Sequence, residues 1–151
     1  MYRGCIPNSP TLALCSNEAH SGSFSRNLFH FHHYNISYIN IKVDGTPTPS
    51  EPLAPIFAEG TSTSCYATLF DDKRDGNTSK KEYLNGYCIV VFRLQSQTGC
   101  DLVSSEKSGN LSVTLKFAEP LQENVPAILY AKFPKFVTVN GVRNIDFAYK
   151  S

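Results

Sequence analysis

The chain has no run approaching the ~20 apolar residues of a membrane span, so no membrane partner is expected. It also lacks an excess of either charge: 14 Lys and Arg stand against 13 Asp and Glu, a net +1. A nucleic-acid surface normally shows as a basic cluster. Lys73-Arg74 and Lys80-Lys81 are too little for one and read as solvated surface, so no specific nucleic-acid partner is expected. There is no Cys-x-x-Cys pair. The five cysteines, Cys5, Cys15, Cys65, Cys88 and Cys100, are odd in number and sparse, whereas a secreted disulfide scaffold favours an even, denser set. The opening MYRGCIPNSP carries no apolar run of signal-peptide type. The expected setting is therefore intracellular and reducing, not secreted, with free thiols. The sequons at Asn35, Asn77 and Asn110 then read as chance matches.

Catalytic signatures are missing too. No Gly-x-Ser-x-Gly elbow and no glycine-rich phosphate loop occurs, and no local motif links a cysteine to a histidine. Asp71-Asp72, beside Lys73-Arg74 and Asp75, reads as a solvated charge cluster rather than a catalytic carboxylate pair. The chain is expected not to be an enzyme, with no catalytic residue, no cofactor and no cofactor-binding residue.

What is present is alternation. In Asn110–Phe117, Leu111, Val113, Leu115 and Phe117 face one way and Ser112, Thr114 and Lys116 the other. In Ala127–Phe133, Ile128, Tyr130 and Lys132 oppose Ala127, Leu129, Ala131 and Phe133. Period-2 alternation predicts strands buried on one face. The link between them, Ala118–Pro126, is too short for a crossover helix, and Pro120 and Pro126 mark its limits; the pair reads as a hairpin region. Asn35–Val43 alternates likewise, with Ile39, Ile41 and Val43 opposing Tyr38, Asn40 and Lys42, and ends at the turn signal Asp44-Gly45.

Further strands are predicted at Thr11–Ser16, Tyr87–Leu94, Phe136–Val139 and Ile145–Tyr149, with a weak one around Asp101–Val103 and a tight turn at Asn140-Gly141. Tyr87–Leu94 is nearly all apolar, as for a strand covered on both faces. Pro47, Pro49, Pro52 and Pro55 make Thr46–Pro55 an extended connection rather than a central strand. Asn17–Arg26 reads as a polar loop. A helix is predicted over Ser62–Phe70, with Tyr66, Leu69 and Phe70 as its apolar face. A single turn follows at Ser79-Lys-Lys-Glu82, which has capping-box spacing, and ends at Asn85-Gly86. Strands without a βαβ rhythm predict an all-β fold, an antiparallel jelly-roll-type β-sandwich with one or two short helices in loops. An irregular lead over 1–10 precedes a single domain over 11–151.

One constellation could carry chemistry: His30-Phe31-His32-His33. Imidazoles at alternate strand positions share a face, so His30 and His32 are candidate zinc ligands. A closed site needs more donors. His20, Cys15 or Cys65 could supply them, but no spacing requires it. The simpler reading is aromatic and polar residues leading into a strand, with no metal bound.

Several segments also carry a resemblance. Ser16–Leu53, SNEAHSGSFSRNLFHFHHYNISYINIKVDGTPTPSEPL, resembles a pattern of the double jelly-roll, capsid-like proteins encoded by Polinton/Maverick transposons and adintovirus-like elements. Tyr66–Phe70, Lys81–Tyr87, the stretch from Gly109-Asn110 to Ala118-Glu-Pro-Leu121, and Val139–Ile145 resemble further motifs of that family in the same order, together spanning residues 11–149. Each motif is weak alone; their order makes the match. Asn27-Leu28-Phe29 stands where the family carries Asn-Pro-Phe, and of the clustered histidines only His33 matches.

Family members are usually longer. The resemblance implies that this chain is the C-terminal portion of a longer major capsid protein. Its function would then be structural, acting by self-assembly into a virion or virus-like particle, with a homo-oligomer (a trimeric capsomer in the full-length protein) as the expected partner. Loops 44–61 and 95–109 would be assembly or exposed segments. The alternative is a β-sandwich binding module, lectin-like or host-repurposed, using Phe29, Phe31 and Tyr34 as a ligand platform.

Overall fold

The computed structural model describes residues 2–48, 50–71, 78–94, 108–133, 137–139 and 145–147. In chain order the elements are β1 (Tyr2–Cys5), β2 (Thr11–Leu14), α1 (Asn17–His20), β3 (Ile36–Val43), β4 (Thr46–Pro47), α2 (Thr63–Asp71), α3 (Lys80–Leu84), β5 (Ile89–Val91), β6 (Ser108–Phe117), β7 (Ala127–Tyr130), β8 (Val137–Val139) and β9 (Ile145–Phe147). One sheet has the order β1-β6-β3-β4 and a second β5-β2-β7; β8 and β9 form a two-stranded ribbon. All the strand pairs are antiparallel. The fold is all-β, two antiparallel sheets with a few short helices.

The alternation in β3 and β6 works as expected. Their register sets Ile39 opposite Leu115, Ile41 opposite Val113 and Val43 opposite Leu111. These residues line the core, where Ile39 and Ile41 are almost wholly buried. Burying each such aliphatic side chain contributes about 1.5–3 kcal/mol. The other face carries Tyr38 opposite Lys116 and Asn40 opposite Thr114. There the Lys116 ammonium lies 5.1 Å from the Tyr38 ring centre, and Asn40 Nδ2 donates to the Tyr38 hydroxyl at 3.1 Å. A bulge between Ile36 and Tyr38 interrupts the ladder. From the second sheet Leu12, Leu14 and Val90 join the same core, together with Cys65, Tyr83, Cys88 and Phe92.

The hairpin expected from β6 and β7 does not form. Each strand joins a different sheet, and the 118–126 link carries the chain from one to the other. Alternation identifies a strand and its buried face, but not which neighbour it pairs with. The 1–10 lead is not irregular throughout: Tyr2–Cys5 pairs with Ser108–Leu111. Two prolines beyond Cys5 obscured a short strand before them. Asn17–His20, read as loop, is a helical turn capped by Ser16, whose Oγ accepts from the Ala19 N–H at 3.2 Å. It brings the short helices among the described residues to three.

Elsewhere local chemistry and structure agree. Asp44 and Gly45 take positive φ, 50° and 83°, as a tight hairpin turn requires. Thr46–Pro47 and Leu53 run along the outer side of β3, with reciprocal Ile39–Leu53 backbone bonds of 2.8 and 3.0 Å. Ser79 and Glu82 complete both bonds of the capping box. In α2 the most buried contact is Cys65, while Phe70 is exposed, so the apolar face lies a little off the predicted one. The Asp101–Val103 strand, the Asn140-Gly141 turn and the Asp72–Asp75 charge cluster lie outside the described residues.

Candidate functional site

Residues 27–36 are a zipped-in segment rather than a strand. Asn27 starts a local turn, its Oδ1 accepting from the Phe29 N–H at 3.0 Å. Phe31 then makes an isolated bridge with Tyr87: its N–H donates to the Gly86 carbonyl at 2.7 Å, and the Cys88 N–H donates to its carbonyl at 3.3 Å. The His32 N–H donates to the Leu14 carbonyl at 3.1 Å. Tyr34 and Asn35 take left-handed φ of 45° and 50° before β3 begins. The segment thus ties the end of α3 to the central strand of the second sheet.

The structure does bring His30 and His32 together, with ring centres 4.4 Å apart and edge to face. His30 Nε2 is 2.8 Å from the Asn85 carbonyl oxygen. A carbonyl can only accept, so Nε2 carries the proton and is spent as a metal donor. His33 faces elsewhere, stacked on Phe57 at 4.2 Å, with Nδ1 accepting from the Asn35 N–H at 3.0 Å. A structural zinc site takes four donors. Among the described residues no group of three or more His, Cys, Asp or Glu side chains is placed to hold a metal. Cys15 and Cys65, the candidates to complete a set, are both buried.

Electrostatics favour the neutral rings of His32 and His33. Burial pushes His32 below the ordinary imidazole value, helped by His30 and Arg26 and opposed by Glu123. Burial and then His32 push His33 the same way. The unfolded chain therefore binds protons more readily at these rings than the native state does. Their stabilisation is present above the ordinary value of 6.5 and is lost as pH falls through the lowered native values. Thermal melts from pH 7 to about 5.5 should show a falling midpoint, and His32→Gln should flatten that slope. An unchanged slope in the variant would remove His32 from the account.

Next to this segment lies an open depression of about 470 Å³, lined by Tyr34, Asn35 and the 119–125 loop, including Glu119, Leu121, Glu123 and Val125. Burial and the Glu123 carboxylate push the Tyr34 hydroxyl up, away from ionisation. Among the described residues no serine hydroxyl or cysteine thiol is hydrogen-bonded to a histidine ring; the ring bonds are His30 to Asn85 and His33 to Asn35. The buried thiols are poor nucleophiles. Burial pushes Cys65 up to about 12 and Cys88 up to about 11, and also raises Cys15.

Of the proposed aromatic platform, Phe29 is exposed, whereas Phe31 and Tyr34 are half-buried and serve the fold. Phe24 is fully exposed on the loop before them. A second exposed apolar group lies along β7: Leu129, Tyr130 and Phe133, with Tyr2 of β1 packed 6.1 Å from Phe133. Sequence reasoning placed Leu129 and Phe133 on one face but could not see that β7 is the outermost strand of its sheet among the described residues. No helix among the described residues is long and apolar enough to cross a membrane.

Motif residues distant in the sequence meet in two places. Gly86, at φ 137°, lies under the His30 ring, where a Cβ would overlap the ring atoms. Asp44 and Asn110 exchange two bonds: the Asp44 N–H donates to the Asn110 carbonyl at 2.8 Å, and Asp44 Oδ1 accepts from the Asn110 N–H at 2.8 Å. Gly109 leaves room for that carboxylate, since a Cβ there would crowd it.

The chain is similar to an uncharacterized protein of Caenorhabditis elegans, 26% identical over 156 aligned positions that take in 95% of the chain. It spans 37% of the length of that relative. No protein-family model matches the chain, and no solved structure does.

Proposed function

We propose that this chain is a jelly-roll unit of a capsid-like structural protein, of the kind encoded by Polinton/Maverick elements, that works by self-association rather than turnover. The carrying observation is where the resembling motifs fall. Asp44-Gly45 meets Gly109-Asn110, and His30-Phe31 meets Gly86-Tyr87. Residues that would signal an active site if they converged on a cleft converge instead on turns and strand junctions. That is what a wall-building unit needs: a rigid sandwich whose surface does the work. The exposed side chains Leu129, Tyr130, Phe133 and Tyr2 give it an apolar rim to associate through.

The relative is much longer than this chain, so the test belongs to the full-length gene product. Size-exclusion chromatography and electron microscopy should show oligomers, with trimers as the first closed species, growing into shells. A strictly monomeric full-length protein at high concentration would overturn the reading. A binding module is the second reading, favoured by the exposure of Phe24 and Phe29; specific hits on a glycan array from a non-assembling protein would support it.

A further inference from the structure

Sheet edges are where strands recruit other strands, and proteins usually block them. On one side of this sandwich both edges are blocked. Thr46–Pro47 and Leu53 run along β3, and α2 covers β5, where Thr68 Oγ1 accepts the outward Val91 N–H at 3.2 Å. On the other side β1 and β7 are the outermost strands of their sheets among the described residues. They come together at Tyr2 and Phe133. Leu129, Tyr130 and Phe133 stay exposed there, and no proline or bulge interrupts Ala127–Phe133.

The ladder phase says which backbone groups are free to pair. The Cys15 N–H donates to the Pro126 carbonyl at 3.2 Å, and the register pairs Ala13 with Ile128 and Thr11 with Tyr130. Hydrogen-bonded and non-bonded pairs alternate along an antiparallel ladder. Ile128 and Tyr130 therefore bond to β2, and Ala127 and Leu129 direct their N–H and C=O groups outward. The same phase accounts for the β5 side, where the Phe92 N–H donates to Pro10 and Val91 points out.

We infer that β7 pairs antiparallel with β7 of a second copy across a two-fold axis at Tyr130, joining the two three-stranded sheets into one. The inference rests on the self-association reading and adds a two-fold contact to it, separate from the contacts that would close a trimer. Both open edges lie on one side of the sandwich, which suits a two-fold contact that uses the same patch twice. The segment AILYAKF is compatible with its own reverse: Leu129 stands opposite Ala131, and Lys132 opposite Ile128 of the second copy rather than a second lysine.

Sedimentation velocity on the chain, across the micromolar range, should show a monomer–dimer equilibrium. Leu129→Pro removes an outward N–H at a position where an edge strand tolerates proline. It should weaken the dimer by about tenfold or more while leaving the melting midpoint near that of the native chain. Tyr130→Lys sets two ammonium groups opposite each other on the axis and should do the same without touching the backbone. Dimers unaffected by both variants would overturn the inference. So would a monomeric native chain whose full-length product still assembles, and that outcome leaves the self-association reading standing. Monomers in both the chain and the full-length product would overturn the two together.

Discussion

Gly86→Ala is expected to cost about 2–4 kcal/mol of folding stability, from two separable causes. The first is conformational. Gly86 sits at φ 137°, outside the regions open to a residue with a Cβ, and such strain costs about 1–3 kcal/mol. The second is steric. The added Cβ would overlap His30 Cδ2 and Nε2, so the ring must leave and the His30–Asn85 bond with it. His30 is exposed and can swing out, so this second share should be the smaller, about 0.5–1.5 kcal/mol. A double-mutant cycle with His30→Ala separates them, because removing the ring relieves the overlap and leaves the backbone strain. Chemical denaturation of the four proteins is the measurement. A Gly86→Ala variant within about 0.5 kcal/mol of the parent, the usual spread of surface substitutions, would mean the tight approach is dispensable.

That position also shows what the sequence could and could not reveal. Asn85-Gly86 was legible as a helix end, because glycine after a capped turn is a local signal. Its second role, clearing space for a histidine 56 positions earlier in the chain, is a tertiary fact with no local trace. The same division runs through the fold. Period-2 alternation identified β3, β6 and β7 and the buried faces of β3 and β6, since a half-buried strand writes its face into every second residue. It could not say that β6 and β7 join different sheets, because pairing is decided by neighbours remote in the chain. Tyr2–Cys5 was missed for a related reason: its partner, Ser108–Leu111, is more than a hundred residues away.

The histidines show the limit for the site. Spacing alone put His30 and His32 on one face, and their rings do meet. Only the structure shows that His30 Nε2 already donates to a backbone carbonyl and that His33 turns toward Phe57. The place of β7 as the outermost described strand of its sheet was equally out of reach, since AILYAKF reads the same whether its strand is central or outermost.

Tyr83 carries the other large effect, and there the sign depends on what is removed. The side chain is wholly buried, packed 5.3 Å from the Tyr66 ring and beside Cys65 and Cys88. Tyr83→Ala should cost about 3–5 kcal/mol, the usual range for emptying a buried aromatic site. The hydroxyl is a different matter. It has no nitrogen or oxygen partner among the described residues, and the Cys88 thiol lies beside it as a weak one. Burial and the nearby thiol push its ionisation far up, so it is neither an acid nor a base at any working pH. An unmet buried hydroxyl costs about 1–3 kcal/mol, so Tyr83→Phe should leave the protein as stable as before or more stable by about 1 kcal/mol. Denaturant midpoints for the two variants read this directly. A phenylalanine variant that is destabilised by more than about 1 kcal/mol would mean the hydroxyl has a partner in solution, with the Cys88 thiol beside it as the first to look for. Neutrality or gain would instead mark Tyr83 as packing alone, in keeping with neighbours Cys65 and Cys88 whose thiols burial also holds away from ionisation.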